Sequence, residues 1–132
     1  ICGFGAACAD TDAKAEIAHM TQLRDLAREK LSELDGLVLI GAQTAPHIVN
    51  LAVRGVRSQG LINALQDRDI YVSAGSACSK GHRSHVLEAM GVAPELIDGS
   101  VRVSLSDETT EDEIRTFAAA LRDAAAALRP NR

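Results

Sequence analysis

Residues 73–85, SAGSACSKGHRSH, set one thiol among small residues and follow it with side chains that are, or can become, cationic. The thiolate is the nucleophilic form of cysteine, and at an ordinary pKa of about 8.5 a free thiol is mostly protonated at neutral pH. Lys80, His82 and Arg83 all fall within five positions of Cys78, and nearby positive charge lowers a thiol's pKa. A helix N-terminus after Ser84 adds partial positive charge if the loop folds toward it. Ser73, Ala74, Gly75, Ser76, Ala77 and Ser79 add little bulk, so the loop is expected to move and to expose its sulfur.

Two other readings of Cys78 stand beside the nucleophile. One is a small buried cysteine in a strand-to-helix turn. The other is a metal ligand, since Cys78, His82 and His85 spell C-x3-H-x2-H. That spacing is unlike the common zinc patterns and no second cysteine pair lies nearby, so no metal is expected. Cys2 and Cys8, with five residues between them, form neither a metal pair nor a redox pair. With Phe4 and the alanines around them they read as packing residues. A second chemically useful side chain is Arg102: in SVRVSL, 100–105, Val101, Val103 and Leu105 share one face while Arg102 and Ser104 take the other.

The elements that must position these groups follow from periodicity. Ile17, Met20, Leu23, Ala27, Leu31 and Leu34 recur at helical spacing and predict a helix over 13–34 that can start as early as Phe4. Strands are expected at 37–40, 47–53, 70–72 and 100–105. Ser58 is expected to cap a helix running to about Gln66, and Ser84 one over 85–90 that Gly91 ends. The last helix opens with Thr110 and Glu113 at capping-box spacing. It turns Ile114, Phe117, Leu121, Ala125 and Leu128 inward and stops before Pro130. The strand connections are too short for crossover helices, which predicts a small α/β sandwich with an antiparallel or mixed sheet of about four strands.

Composition narrows the partners. At 132 residues one domain, 1–132, is the default, and 46% hydrophobic with 24% charged residues is ordinary for a folding chain. A net charge of -4 with two Phe, one Tyr and no Trp leaves neither a basic footprint nor a stacking platform for nucleic acid. No apolar run approaches the roughly 20 residues that cross a bilayer, so no membrane partner is expected. An odd number of scattered cysteines suits a reducing compartment, and a cytoplasmic location is expected.

The stretches GFGAA (3–7), PHIVNLAV (46–53), IYVSAGSACS (70–79), SHVLEAMGV (84–92), GSVRVSL (99–105) and TTEDEI (109–114) occur in one order across nearly the whole chain. Together they resemble the C-terminal part of the pyridoxal-phosphate-dependent cysteine desulfurases, in the class V aminotransferase family. The resemblance implies the small domain of a fold-type-I enzyme. It makes Cys78 the residue that attacks the sulfur of cofactor-bound L-cysteine, giving alanine and a persulfide. It makes Arg102 the bidentate holder of the substrate carboxylate, where strand position alone suggests a surface ion pair. Asn50 and His85 match no catalytic role.

Further partners implied by the resemblance are a sulfur-acceptor or iron–sulfur scaffold protein and a second copy of the longer enzyme. A non-catalytic docking module, with Lys80, His82 and Arg83 facing an acidic acceptor, is the competing reading. A selenocysteine lyase or other aminotransferase-type lyase is the third. None of Lys14, Lys30 and Lys80 resembles the family's cofactor lysine, so the large cofactor-binding domain is expected to be absent and the chain alone to be inactive and free of cofactor. The sequence departs from the family pattern between Cys78 and Ser84, where it is about two residues shorter and reads Lys-Gly-His-Arg. It departs again after Leu105, which Ser-Asp-Glu follows.

Overall fold

Asp12 separates two helices. In the computed structural model, which describes residues 1–42, 44–74 and 83–129, helix α1 (Cys2–Asp10) ends at an extended Thr11. The Asp12 carboxylate then accepts the Ala15 N–H at 3.1 Å and starts α2 (Ala13–Ser32). An N-cap oxygen of this kind satisfies one of the donors that a helix start leaves open. The early start near Phe4 is thus a helix of its own.

The main chain continues through β1 (Leu37–Leu39), β2 (Ile48–Val53), α3 (Ser58–Gln66), α4 (His85–Ala89), α5 (Pro94–Asp98), β3 (Ser100–Ser104) and α6 (Glu111–Leu128). The strands form an antiparallel sheet in the order β1-β2-β3, with Leu37 opposite Val53 and Asn50 opposite Arg102. On one face Val49, Leu51, Val53, Val101 and Val103 meet Leu23, Ala27 and Leu31 of α2, Leu61 and Leu65 of α3, and Phe117 and Leu121 of α6. Burial of this kind, at roughly 25 cal/mol per Å² of apolar surface, is what holds the helix layer on the sheet.

The opposite face carries a smaller cluster of Ile40, Ala52, Leu87 and Ile97, so α4 and α5 cover only one end of it. Gly99 permits that layer to sit close: a Cβ there would fall 2.6 Å from the Val56 carbonyl oxygen. Ser100, buried just beyond, gives its hydroxyl proton to the Ile97 carbonyl at 2.9 Å.

Among the described residues the sheet has three strands where about four were expected, and all pairs are antiparallel. Segment 70–72 fails to become a strand because it is still tied to α3: the Ile70 N–H donates to the Leu65 carbonyl. Pairing with β3 begins only at Ser73, as a single bridge to Arg102. The Ser58 cap is also replaced; Arg57 is the N-cap residue and Ser58 the first helical one. Helix α5 was missed, although Pro94 at its first turn is a recognisable start signal. Of the α2 stripe Ile17 is exposed, and Leu128 at the end of α6 is partly so.

Cys2, Cys8 and Phe4 are exposed, and α1 contains no buried residue. The packing reading of these residues is therefore overturned, because α1 is apolar without contributing to either cluster. Among the described residues no helix is long and apolar enough to cross a membrane.

Candidate functional site

The uncovered end of the second sheet face is where Arg102 emerges. Antiparallel pairing sets it opposite Asn50, on the same strand face as the buried Ser100 and the exposed Ser104. Its guanidinium is exposed, and among the described residues it has neither an ion pair nor a side-chain hydrogen bond. By contrast Arg24, Arg68, Arg83, Arg115, Arg122 and Arg129 each hold a carboxylate. The surface ion pair that strand position suggested for Arg102 does not form among the described residues. A planar cation left open in this way is suited to a bidentate carboxylate from a ligand.

The Arg102 main chain has a separate partner. Its N–H donates to the Ser73 carbonyl at 2.7 Å and its carbonyl accepts the Ser73 N–H at 3.1 Å. Ser73 is where the cysteine-bearing stretch begins. Cys78 itself, with Lys80 and His82, lies outside the described residues.

The far end of that stretch is fixed by side chains. Arg83 forks onto Asp98, with Nε to Oδ1 and Nη2 to Oδ2 both at 2.7 Å. That hydrogen bonding from Arg83 holds the Asp98 carboxyl below its ordinary pKa, with smaller help from the Arg83 and Arg57 charges and against the effect of burial. The same hydrogen bond, and then the Asp98 charge, raises the Arg83 guanidinium above its own. Ser84 next accepts the Leu87 N–H at 3.4 Å and caps α4, as its position predicted. Gly91, at φ +73, closes the turn after that helix.

Ser73 is therefore held to Arg102 and Arg83 to Asp98, four residues earlier in the same α5–β3 unit. Asp98 is a site residue that sequence reasoning missed. Its partner is fifteen positions away, and only the presence of α5 brings the two together. His85 is the exposed first residue of α4, and Asn50 is half-buried beside Arg102. A groove of about 430 Å³ opens along Tyr71, Ser104, Thr109 and Phe117. It includes neither Arg102 nor Arg83, so the chemistry is not assigned to it.

The described residues do not fit pyridoxal phosphate. Lys14 and Lys30 both lie on α2, which packs against the opposite side of the sheet from Arg102, and Lys30 is paired with Glu29 at 2.9 Å. No described lysine shares the Arg102 face.

The family model for aminotransferase class-V matches residues 1–117. The cysteine desulfurase IscS of Ectopseudomonas mendocina is 38% identical over 125 residues, which are 92% of this chain and 30% of that protein. The cysteine desulfurase IscS of Klebsiella pneumoniae is 38% identical over 120 residues, 86% of this chain and 29% of that protein. The chain thus spans about 30% of the length of the curated relatives it matches. Among solved structures a NifS-like protein superposes with a TM-score of 0.75 at 27% identity, covering 87% of this chain and 29% of that one. The cysteine desulfurase CsdA of Escherichia coli shares the fold, with a TM-score of 0.71 at 20% identity over 91% of this chain and 28% of that one.

Proposed function

Because this chain belongs to the aminotransferase class-V family, we propose that it is the small domain of a longer cysteine desulfurase in which Arg102 holds the substrate and Cys78 takes its sulfur. The observation that carries the reading is the Arg102 site. An exposed guanidinium with no carboxylate partner among the described residues stands on the strand whose main chain anchors Ser73, five residues before the thiol.

Arg102 binds the α-carboxylate of L-cysteine through two parallel N–H donors, which fixes the direction of the substrate side chain. The Cys78 thiolate accepts the substrate sulfur, alanine is left, and the enzyme holds a persulfide. A sulfur-acceptor or iron–sulfur scaffold protein then receives that sulfur from Cys78. Pyridoxal phosphate is the cofactor of the family; with no fitting lysine described here, its binding falls to other residues of the longer enzyme, which acts as a homodimer. A cytoplasmic setting agrees with the exposed free thiols Cys2 and Cys8.

Two measurements test this reading. The longer protein, supplied with pyridoxal phosphate and L-cysteine, is expected to gain one sulfur atom on the peptide containing Cys78, detected by mass spectrometry, and Cys78→Ser is expected to lose it. Full sulfur delivery to an acceptor by Cys78→Ser would refute the assignment. Residues 1–132 alone are expected to give no cofactor absorbance shift and no sulfide; turnover by this chain alone would refute its role as a partial enzyme.

A further inference from the structure

Strand β3 is an edge of the sheet, and its outer side is only partly closed. In an antiparallel strand alternate residues turn their N–H and C=O groups to the same side. Arg102 gives both of its groups to Ser73, away from β2, so Ser104, two residues on, turns its own N–H and C=O the same way. The Leu105 N–H points back and donates to the His47 carbonyl at 2.9 Å, which fixes that alternation. Continued pairing would set Tyr71 opposite Ser104, but the Ile70 N–H donates to the Leu65 carbonyl and draws the segment off. Among the described residues the Ser104 N–H and C=O have no backbone partner.

This fork opens into the groove of about 430 Å³. Its lining is apolar at Ile114 and Phe117 of α6, which also belong to the main core, and at the partly buried Val72. Its rim is acidic, with Asp69 at the end of α3 and Asp112 and Glu113 in the first turn of α6. Asp69 and Asp112 are exposed and hold no cation among the described residues. The Glu113 carboxylate accepts only from the Thr110 N–H and hydroxyl, which hold it below its ordinary pKa and keep it charged. Arg68, the cation in the lining, already meets Asp123 at 3.2 Å. The rim therefore carries negative charge that the described residues leave uncompensated.

We infer that this groove takes a short extended peptide segment by strand addition at Ser104, with an apolar side chain against Ile114 and Phe117 and basic side chains at Asp69 and Asp112. Pairing with Ser104 supplies two main-chain hydrogen bonds, and strand alternation sets the side-chain pattern. The peptide residue opposite Ser104 shares the sheet face of Arg102, so its two neighbours turn toward the helix layer. The fitting sequence is basic-x-apolar-x-basic, with a small neutral residue at each x beside the Arg102 cation. A segment with acidic residues in the basic places would meet like charge. This surface is separate from the Arg102 site and does not rest on the desulfurase reading.

The probe is acetyl-Lys-Ser-Leu-Ser-Lys-amide, titrated into this chain and followed by calorimetry and by backbone amide shifts. Binding is expected to saturate below about 1 mM, to shift the Ser104 amide most, and to weaken with salt. The peptide with Glu in place of Lys is expected to bind at least about tenfold more weakly. N-methylation of both peptide serines removes the donors that face Ser104 and is expected to cost about tenfold. Asp69→Asn with Asp112→Asn, both at exposed positions, is expected to weaken binding about three- to tenfold with the circular dichroism spectrum unchanged.

Equal affinity for the Lys and Glu peptides would overturn the charge assignment, and full affinity of the N-methylated peptide would overturn strand addition. Failure to saturate, or shifts that leave Ser104 unmoved, would overturn the site itself. The longer enzyme is expected to bind the same peptide. Binding by this chain but exclusion from the longer enzyme would show that another segment of that enzyme fills the groove, and the external partner would be overturned.

Discussion

Replacing Gly99 with alanine tests one close approach without demanding a positive φ. Gly99 has φ -96 and ψ 0, a negative-φ conformation that alanine can also adopt, so the added methyl is the main change in the folded state. That methyl would lie 2.6 Å from the Val56 carbonyl oxygen, 3.5 Å from that of Glu95 and 3.6 Å from that of Val53. All three are backbone atoms, Val53 in β2, Glu95 in α5 and the buried Val56 in the connection from β2 to α3, and none can swing aside as a side-chain end can. Overpacking of this kind costs about 1–3 kcal/mol, and the reduced freedom of the unfolded chain returns roughly 0.4–1 kcal/mol; the middle of the two ranges leaves a net loss of about 1–2 kcal/mol.

At about 2.1 cal/mol/K per residue, a chain of 132 residues unfolds with an entropy near 0.28 kcal/mol/K, so the expected fall in Tm is about 4–7 °C. Gly60→Ala is the control. Gly60 lies within helix α3, and its methyl would meet the Leu128 side chain of α6, Cδ1 at 3.3 Å and Cδ2 at 3.5 Å, the flexible end of a side chain. Alanine there gains about 0.5–1 kcal/mol of helix preference, so stability is expected to hold or rise. Thermal unfolding followed by circular dichroism reads both variants. A Gly99→Ala chain as stable as the original would show that α5 can move off the sheet, and the placement of Asp98 argued above would lose its support.

Leu121→Ala empties a fully buried position between α6 and the sheet and is expected to cost about 2–5 kcal/mol in urea unfolding. Thr110→Ala removes the hydroxyl that accepts the Glu113 N–H at 3.3 Å and is expected to cost about 1 kcal/mol by the same measurement. The Thr110 N–H, and then its hydroxyl, hold the Glu113 carboxyl below its ordinary range. A carboxyl lowered by folding stabilises fully above its unfolded value, about 4.3, and loses that contribution as pH falls through the lower folded value; Glu113→Gln should therefore flatten the acid limb of a stability–pH curve. Arg102→Gln is expected to leave stability within about 0.5 kcal/mol, because no described side chain depends on it, yet to weaken L-cysteine binding in the longer enzyme. A large loss of stability would make Arg102 structural.

What could be read from the chain was whatever a local pattern encodes. The alternation in SVRVSL turned Arg102 away from the core, and the capping box of α6 and the Ser84 cap of α4 stand where their spacing put them. What could not be read depended on contacts between distant segments. The residues 70–72 have strand composition, but the hydrogen bond from Ile70 back to Leu65 delays pairing until Ser73. Cys2, Cys8 and Phe4 have core composition, and nothing local tells a helix whether a partner surface exists; α1 finds none among the described residues. Asp98 looked like an ordinary acidic residue near a glycine until α5 carried it to Arg83. The thiol itself, Cys78, is known here from sequence alone, as are Lys80 and His82, since they lie outside the described residues.

The bridge between Ser73 and Arg102 gives one residue two tasks that different experiments detect. Exchange of the arginine side chain removes the cation and leaves both backbone hydrogen bonds in place, so scanning by side-chain substitution sees only the proposed ligand-binding half. Proline at 102 keeps neither the cation nor the donated N–H, while replacing the Arg102 amide with an ester removes the donor and spares the guanidinium. Comparing the ester with Arg102→Gln would separate holding a substrate from holding the stretch that carries Cys78. Amide hydrogen exchange at Arg102 reports the same bridge directly, with no substitution at all.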